Sequence, residues 1–541
     1  MAQGGAPRFG RGVDEVKSLI GRKKHLVKME NGGTKMLNEL KKEANRTYTE
    51  NGAVTYRSTM SDCLDFFSTA GALRKADEEE IISRFVKAYT EDKNTALKVL
   101  FFARDIRGGL GERRVFRTVL TYLAEHEPAV VRKNLALIAE YGRYDDLLVL
   151  MGTACEEYVV GLIREQLGKD LEILQAKKLM ENGIRRESIS LLAKWLPSVN
   201  TSNEAQCAMG RRIAKACGMQ ESEYRKALSA LRREIRIIEN NLREKDYTFD
   251  YEKQASRALF KYKKAFLRND NARYTAFINA ASKGEAKLNA GNIYPYELVD
   301  PYLDDWSFIN GHRCLMRAVS EEEKAVLNAT WSALPDFGSD ENALAVVDTS
   351  GSMYGYQNPK PASVALSLGL YFAEHNRGAF ANHFMTFSVR PQLIELKGET
   401  FVDRLRYAAS FNEIGNTDIE AVFRLVLKTA VRNHLPQEEM PAKLVIISDM
   451  EFDCCAENAT LSNFEHAKRS YEAAGYRLPQ LVFWNVASRN RQQPVTMNEA
   501  GVALVSGCTP RLFSMVAGEV VDPFTLMMEV IGSKRYAPVA A

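Results

Sequence analysis

The chain lacks any run of the ~18 to 20 apolar residues that a membrane-spanning helix needs. Its first residues, MAQGGAPRFGRG, contain no apolar stretch typical of a signal peptide. Its 8 cysteines include no C-x-x-C pair of the kind that binds zinc, and we expect free thiols in a reducing compartment. These absences predict a cytoplasmic protein that makes no contact with a membrane.

A strong excess of charge of one sign is also absent, since the formal net charge is +4 over 541 residues. The overall charge therefore identifies no partner, and its distribution matters more. Hydrophobic residues make up 45% and charged residues 26%, which is typical of a folded globular protein. The length is too great for one ordinary core, so we expect two or more domains.

Residues 60 to 290 carry apolar residues at helical spacing, and strand-like alternation is scarce there. Examples are EEEIISRFVKAYTEDKNTALKVLFFARDI and FRTVLTYLAEHEPAVVRKNLALIAEYG. The joints are short, which favours antiparallel helix pairs stacked side by side. Pairs of roughly 35 to 45 residues predict an α-solenoid of the HEAT type, and a compact irregular helical domain is the alternative.

After residue 340, short β-branched and aromatic runs alternate with helical stretches. The predicted strands are ALAVVDTS, ANHFMTFS, AKLVIISDM, PQLVFWNV and GVALVSG. The predicted helices are ASVALSLGLYFAEHN, TDIEAVFRLVLKTAVRN, FEHAKRSYEAAG and PFTLMMEVIGSK. This alternation predicts a doubly wound α/β domain, with a mostly parallel sheet, helices on both faces and ligands at the carboxyl ends of the strands.

The sequence thus divides into four parts. Residues 1–48 are a basic segment that we expect to be flexible, and residues 49–297 form the helical-repeat domain. Residues 298–340 are rich in proline, acids and aromatics, and we expect them to pack between the domains rather than form a loose linker. Residues 341–541 form the α/β domain.

Oxygen-bearing side chains follow three separated elements of the predicted α/β domain. The stretch LAVVDTSGSM supplies Asp348, Ser350 and Ser352, GNTDIEAVF supplies Thr417, and VIISDMEF supplies Asp449. Two carboxylates and three hydroxyls suit a hard divalent cation, either Mg²⁺ or another such as Mn²⁺ or Ca²⁺. The alternative is that the hydroxyls cap helices and the aspartates end strands.

The motif D-x-S-x-S after a strand, with a later Thr and a later Asp, resembles the metal-ion-dependent adhesion site of von Willebrand factor A domains. The resemblance implies metal binding at those five positions, and a coordination place that a carboxylate of a ligand fills. A metal with two carboxylates could also activate water, but His375 and His383 need not reach the site, and the sequence offers no obvious general base. We therefore expect a binding protein and not an enzyme.

Positive charge concentrates in the helical part, where residues 211 to 273 hold 17 Lys and Arg against 9 Asp and Glu. Such a face can neutralise RNA phosphates, and the aromatic residues between the cations either stack on bases or belong to the core. The alternative is an ordinary solvated helix face. The candidate RNA contacts, in this region and in the separate stretch of residues 104 to 114, are Arg104, Arg107, Arg113, Arg211, Arg212, Arg232, Arg233, Arg236, Lys261, Lys263, Lys264, Arg268 and Arg273.

Three of these candidates lie in RDIRGGLGERR, residues 104 to 114, where glycines precede a predicted helix. Exposed backbone N–H groups there could bind a phosphate. The stretch lacks the G-K-[ST] of a nucleotide-binding P-loop, and a glycine turn between packed helices is an equally good interpretation.

The order of a helical-repeat part followed by an A-type domain resembles the TROVE-module proteins, among them the Ro autoantigen. The stretches RDIRGGLGER, YGRYDDLL, AKWLPS, EYRKALSALR and YPYELV are closer to a TROVE-related family than to Ro itself. The resemblance, over roughly residues 50 to 530, implies a ring of helical repeats that the A domain closes. It also implies a monomeric, Ro-like ribonucleoprotein component that binds small non-coding (Y-like) RNA and single-stranded RNA ends in RNA quality control or processing. The protein partner that it implies is an exoribonuclease or another protein bound through the A domain.

Two other functions remain open. The A domain could capture an acidic side chain of a protein partner through its metal, so that the chain serves as an interaction scaffold. A metal-dependent hydrolase is the third, and it lacks a base.

Overall fold

The computed structural model describes residues 35–179, 188–309, 312–315, 319–354, 358–388, 390–411, 416–454 and 461–541. Its strands are β1 Arg46–Tyr48, β2 Val54–Tyr56, β3 Leu303–Ile309, β4 His312–Leu315, β5 Ala343–Asp348, β6 His383–Phe387, β7 Leu393–Glu395, β8 Lys443–Ser448, β9 Gln480–Asn485 and β10 Val502–Ser506.

The α-helices of the first part are α1 Lys35–Asn45, α2 Asp62–Thr69, α3 Glu78–Glu91, α4 Lys93–Arg104, α5 Arg113–His126, α6 Pro128–Lys133, α7 Leu135–Tyr141, α8 Glu156–Leu179, α9 Leu192–Trp195, α10 Glu204–Ala216, α11 Glu221–Glu234, α12 Ile238–Glu244, α13 Ser256–Asn269, α14 Asn271–Ser282, α15 Pro295–Val299 and α16 Glu321–Ser332. Those that follow β5 are α17 Pro361–His375, α18 Phe401–Ala409, α19 Ile419–Arg432, α20 Asn463–Ala473, α21 Leu512–Met515 and α22 Pro523–Ile531.

The helical part consists of helices that pack on their neighbours in sequence, such as α3 on α4 and α4 on α5. Local signals fix where these helices begin. The side chain of Asp77 accepts a hydrogen bond from the backbone N–H of Glu80 at the start of α3, and Asp92 does the same for Thr95 at the start of α4. Within the described residues, no helix combines the length and the apolar character that crossing a membrane requires.

The α/β part is built on a six-stranded mixed sheet in the order β10-β9-β8-β5-β6-β7. All neighbouring strands are parallel except β6 and β7, which are antiparallel. Alternate residues of β5 and β8 contribute to two different apolar clusters, one containing α17 and the other containing α19 and α20. The sheet is therefore covered by helices on both faces, which explains why all six residues of β5 are buried.

The helical part and the sheet share one continuous apolar core. Helix α2 packs on β10, and the turn that follows α2 lies so close to this strand that a Cβ atom at Gly71 would be 2.4 Å from the carbonyl oxygen of Ser506. Helix α22 packs on α2 and α4, and the chain then ends against the helical part, where the Asn134 side chain donates to the Ala540 carbonyl at 2.7 Å. The two parts therefore share a large part of their core, and a smaller apolar cluster lies mainly within each of them.

The predicted alternation of strands and helices after residue 340 is confirmed, with a strand or helix at each predicted stretch. The short antiparallel strand β7 and helix α18 were not predicted. Residues 1–34 of the segment expected to be flexible lie outside the described residues, and residues 35–48 form α1 and β1. The expected boundary at residue 48 falls inside the β1–β2 hairpin, because β1 pairs antiparallel with β2.

Candidate functional site

The carboxyl ends of β5 and β8 bring two aspartates to one edge of the sheet. The two strands are parallel neighbours, with Val347 opposite Ile447, so Asp348 and Ser448 end them side by side. The Ser448 hydroxyl donates to Asp348 Oδ2 at 2.5 Å. Asp449 follows directly, and it lies close enough for its charge to raise the pKa of Asp348.

The two predicted serines join the aspartates. The backbone N–H of Ser350 donates to Asp348 Oδ1 at 2.9 Å, and the hydroxyl oxygens of Ser350 and Ser352 are 3.1 Å apart. The Ser352 hydroxyl lies close enough to Asp449 to favour the ionised form of that carboxylate and so to lower its pKa. Four of the five predicted metal-site residues therefore form one connected group.

Thr417, the fifth predicted residue, is buried just before α19 and lies beside this group rather than within it. Its backbone N–H donates to Asp453 Oδ2 at 2.7 Å, and its hydroxyl oxygen is 3.5 Å from Asn51 Nδ2. Asn51 Nδ2 also donates to the Glu451 carbonyl at 2.7 Å, two residues beyond Asp449. The structure thus places Thr417 at the same edge, linked to the loop of Asp449 through Asn51.

Burial disfavours the ionised forms of the two carboxylates. Asp348 is fully buried and Asp449 is 2% exposed. Burial raises the pKa of Asp348 to about 7, and the charge of Asp449 adds to that shift. Burial also raises the pKa of Asp449, against the opposing effect of the Arg489 guanidinium. Two buried carboxylates that disfavour each other's ionisation are stabilised by a cation.

The donor chemistry of this edge fits a hard divalent cation. Carboxylate and hydroxyl oxygens converge there, as Mg²⁺, Mn²⁺ and Ca²⁺ require. Over the described ranges, no three side chains of His, Cys, Asp or Glu gather in a metal-binding arrangement. Metal binding at this edge would therefore depend on the serine hydroxyls as well as on Asp348 and Asp449.

The tip of the β1–β2 hairpin lies over the loop that carries Asp449. The Thr49 hydroxyl donates to the Phe452 carbonyl at 2.6 Å, and the backbone N–H of Glu50 donates to Glu451 Oε2 at 2.9 Å. The Arg489 guanidinium bridges Asp449 Oδ2 and Glu50 Oε2, at 3.0 Å from each. Sequence analysis missed Glu50 and Arg489. The position of Arg489 after β9, at the same edge, was the one available signal.

The two histidines considered as bases lie at the other edge of the sheet. His383 begins β6, which runs parallel to β5, and His375 ends α17. Their Nδ1 atoms contact the carbonyl oxygens of Ala381 at 2.7 Å and Tyr371 at 2.8 Å.

A basic groove forms a second candidate site, in the helical part. Helix α11 buries Tyr224, Leu228 and Leu231 and turns its other face outward. The groove encloses about 480 Å³, and within the part of the chain that the structure describes no acidic residue lines it. Its lining residues are Ser198, Asn200, Arg225, Lys226, Ser229, Ala230, Arg232, Arg233 and Arg243.

Comparisons with known proteins match almost the whole chain. The model of a domain of unknown function, DUF2828, matches residues 49–161 and 153–337, and that of a second, DUF7788, matches residues 342–523. "Uncharacterized protein L728" of Acanthamoeba polyphaga mimivirus is 30% identical over 525 residues, which cover 90% of this chain and 87% of the viral protein. The chain belongs to the DUF2828 family.

One solved structure resembles this DUF2828 protein at low similarity. It is the crystal structure of the Deinococcus radiodurans RO (RSR) protein, with 15% sequence identity and a TM-score of 0.38. The comparison covers 88% of this chain and 100% of the bacterial one. At such values the likeness carries no weight for fold or function.

Two of the arginines expected to contact RNA have structural roles in this DUF2828 protein. Arg104 is 2% exposed, and its guanidinium is paired with Asp146 at 2.7 Å, so it is not available to a phosphate. The Arg232 guanidinium donates to the carbonyls of Ala193 at 2.8 Å and Leu196 at 2.6 Å and to Ser198 Oγ at 2.6 Å. Charge and spacing alone could not identify either role.

Four other arginines predicted to contact RNA are exposed, and three of them contact groups of the protein itself. Arg212 pairs with Glu156, and Arg211 lies 3.4 Å from Glu221. Arg107 donates to the Glu140 carbonyl. The pKa of Arg113 is lowered, first by burial and then by nearby arginines.

The remaining predicted cations lie on the outer surface of the helical part. Arg233 and Arg236 are exposed at the end of α11, and Arg233 lines the groove. A second basic surface, on α13 and the start of α14, is formed by Lys261, Lys263, Lys264, Arg268 and Arg273.

The aromatic residues of this region are mostly core. Tyr224, Tyr251, Phe266 and Tyr274 are buried, and the last three form one aromatic cluster with rings 5.1 to 5.3 Å apart. The groove itself is lined by no aromatic side chain among the described residues. It is therefore suited to phosphates rather than to stacked bases.

Proposed function

We propose that this DUF2828 protein binds RNA through the basic groove of its helical part. The groove supports the proposal because five cations and no acidic residue of the described part of the chain line it. Two of the five are engaged, Arg232 with nearby carbonyls and Arg243 with Glu244. Arg225, Lys226 and Arg233 have no ion-pair partner among the described residues, so their charge is available to phosphates. Arginine suits this role because its planar fork binds phosphate oxygens in pairs.

The class of RNA follows from the resemblance of the sequence to TROVE-module proteins. Small non-coding RNA and single-stranded RNA ends are the proposed ligands, with a role in RNA quality control. The second basic surface, on α13, extends the proposed contact area. We propose a monomer with no catalytic step of its own, and an exoribonuclease as a protein partner.

Binding of a labelled single-stranded RNA of about 20 nucleotides tests the groove. Reversing the charge at Arg225, Lys226 and Arg233 to Glu is expected to weaken binding more than tenfold at low salt. A matched control reverses Lys397, Lys428 and Arg432, which are exposed cations of the α/β part, and should leave binding nearly unchanged. An equal loss of RNA affinity in both variants would indicate a nonspecific effect of net charge and would contradict RNA binding in the groove.

We also propose that Asp348, Ser350, Ser352 and Asp449, with Thr417 beside them, hold a divalent cation, Mg²⁺ first. The convergence of buried carboxylates and hydroxyls supports this proposal. The ion would supply positive charge to two buried carboxylates. It would also offer an open coordination position to an acidic side chain of a partner.

The second candidate function, an interaction scaffold, rests on that coordination position at the edge of the sheet. Asp348→Ala is then expected to abolish capture of the partner while RNA retention stays unchanged. Loss of RNA binding in the same variant would instead tie the metal site to RNA.

A further inference from the structure

Arg489 lies between a buried carboxylate of the proposed cation site and a carboxylate of the hairpin tip. Its Nη2 is 3.0 Å from Asp449 Oδ2, and its Nη1 is 3.0 Å from Glu50 Oε2. The guanidinium is 32% exposed, whereas the Asp449 side chain is 1% exposed. A cation at the surface thus reaches inward to a buried anion.

This contact matters because the two buried carboxylates carry like charge. Asp348 accepts a hydrogen bond from Ser448, and Ser352 lies near Asp449, but a hydroxyl does not cancel a full negative charge. Among the described residues, Arg489 is the ion-pair partner that reaches either of them. It therefore offsets part of their negative charge as long as no other cation does so.

Glu50 pairs with Nη1 of the same guanidinium, and contacts with the rest of the protein hold Glu50 in position. Its carboxylate also accepts from Asn490 Nδ2 at 2.8 Å, and its backbone N–H donates to Glu451. Thr49 and Asn51, on either side, are bonded to the loop after β8. The position of Glu50 is thus set by the hairpin and not by chance contact of a mobile side chain.

We infer that Arg489 is a built-in counter-ion that competes with a divalent cation for Asp449, and that Glu50 limits this competition by sharing the guanidinium. The inference rests on the proposed cation site. An entering cation makes the charge of Arg489 redundant and repels it, while the carboxylate of Glu50 attracts the guanidinium outward. Arg489 and Glu50 consequently affect metal affinity in opposite directions.

Titration of the metal-free full chain with Mn²⁺, followed by calorimetry at a fixed pH near 7.5, tests this inference. Arg489→Gln is expected to raise Mn²⁺ affinity by about fivefold or more, the usual size of coupling between two ligands. Glu50→Gln is expected to lower the affinity by a similar factor. Arg489→Lys keeps the charge and should stay closer to the wild type than Arg489→Gln.

The matched control is Arg491→Gln, two residues along the same loop. Arg491 pairs with Glu80 rather than with the cation site, so Mn²⁺ affinity should not change. A second measurement is the melting temperature in a chelator. Arg489→Gln should lower the melting temperature in the chelator. Saturating Mn²⁺ should then raise the melting temperature of this variant by more than it raises that of the wild type.

The outcomes separate the two proposals. If the wild type and all variants bind no Mn²⁺, the cation site itself is wrong and this inference is wrong with it. If the wild type binds Mn²⁺ but Arg489→Gln binds it equally or more weakly, only the counter-ion role is overturned. A rise in affinity in Glu50→Gln would overturn the role assigned to Glu50.

Discussion

Arg104 and Asp146 form an ion pair that is enclosed by the helical part, with the two side chains 2% and 0% exposed. Arg104 Nη2 lies 2.7 Å and Nε 2.8 Å from Asp146 Oδ2, while Asp146 Oδ1 accepts from Arg117 Nε at 2.6 Å. The pair joins the end of α4 to the turn that follows α7. Two motifs of the sequence, RDIRGG and YGRYDD, thus contact each other through this pair.

We therefore expect Arg104→Ala to destabilise the protein without a specific effect on RNA. Removing Arg104 takes one of two guanidinium partners from the buried Asp146 and leaves Arg117, so the loss should fall below the ~3 to 5 kcal/mol that a fully broken buried pair costs. Thermal or urea unfolding would measure the loss. Arg107→Ala, at an exposed position of the same motif, should cost less than about 1 kcal/mol. An Arg104→Ala variant that melts like the wild type but loses RNA affinity would restore the phosphate-binding interpretation.

Arg225 and Arg232 line the same groove, and we expect them to differ in their effect on the salt dependence of RNA binding. Arg225→Gln removes an available charge, so the slope of log affinity against log salt should fall by about 0.7. The Arg232 guanidinium donates hydrogen bonds to Ala193, Leu196 and Ser198. Arg232→Gln should therefore lower the melting temperature and leave the slope of the folded protein nearly unchanged.

Salt titrations of both variants at the same RNA length provide the comparison. Equal slopes in wild type and Arg225→Gln would show that Arg225 contacts no phosphate. A reduced slope in Arg232→Gln with an unchanged melting temperature would contradict the structural role of Arg232.

The fold of the α/β part could be predicted because its signals are local. The strands that form the centre of the sheet are covered on both faces, so they read as continuous apolar runs between polar turns. The edge strand β7 has only the residues LIE, which give too short a pattern. The β1–β2 hairpin could not be predicted because its tip is held by contacts with residues some 400 positions away, such as that of Thr49 with Phe452.

In the candidate sites too, residues with a local sequence signal could be predicted, and residues brought in by distant contacts could not. Asp348, Ser350, Ser352 and Asp449 follow from a spacing rule, because parallel strands end at one edge of the sheet. Glu50 and Arg489 follow no spacing rule, since the hairpin that brings Glu50 there belongs to the helical half of the sequence. The charge count located the basic region, but it could not tell an available guanidinium such as that of Arg225 from an engaged one such as that of Arg232.

Removal of metal from the proposed cation site is expected to lower stability in the wild type and not in Asp348→Asn. A ligand at one hundred times its dissociation constant adds about 2.7 kcal/mol to the free energy of unfolding. Asn retains the acceptor for the Ser350 N–H but removes one of the two buried charges. Melting temperatures with Mg²⁺ and with a chelator, at about pH 7.5, measure the difference.

Asp340→Asn is the control for that experiment, because Asp340 precedes β5 and its side chain is 85% exposed. It should keep the full response to Mg²⁺. An Asp348→Asn variant that is still stabilised by Mg²⁺ to the wild-type extent would place the ion elsewhere.

Asp65, on α2, is expected to make stability depend on pH. Burial raises the pKa of Asp65 from its ordinary value of 3.8 to about 6. Between these values the folded chain binds more protons than the unfolded chain, so the free energy of unfolding falls as pH rises from about 4 to about 6. The penalty reaches on the order of 3 kcal/mol above that range. Asp65→Asn should remove it, because Asn can still accept from the backbone N–H of Thr59.

The comparison of Asp65→Asn with the wild type therefore has a defined sign. The variant should gain stability relative to the wild type progressively between pH 4 and pH 6, and keep a constant advantage above pH 7. Glu79→Gln, at an exposed position of α3, should show no such trend. Urea unfolding at several pH values measures the difference, and a variant whose advantage shrinks as pH rises would show that Asp65 is stabilised, not penalised, in its ionised form.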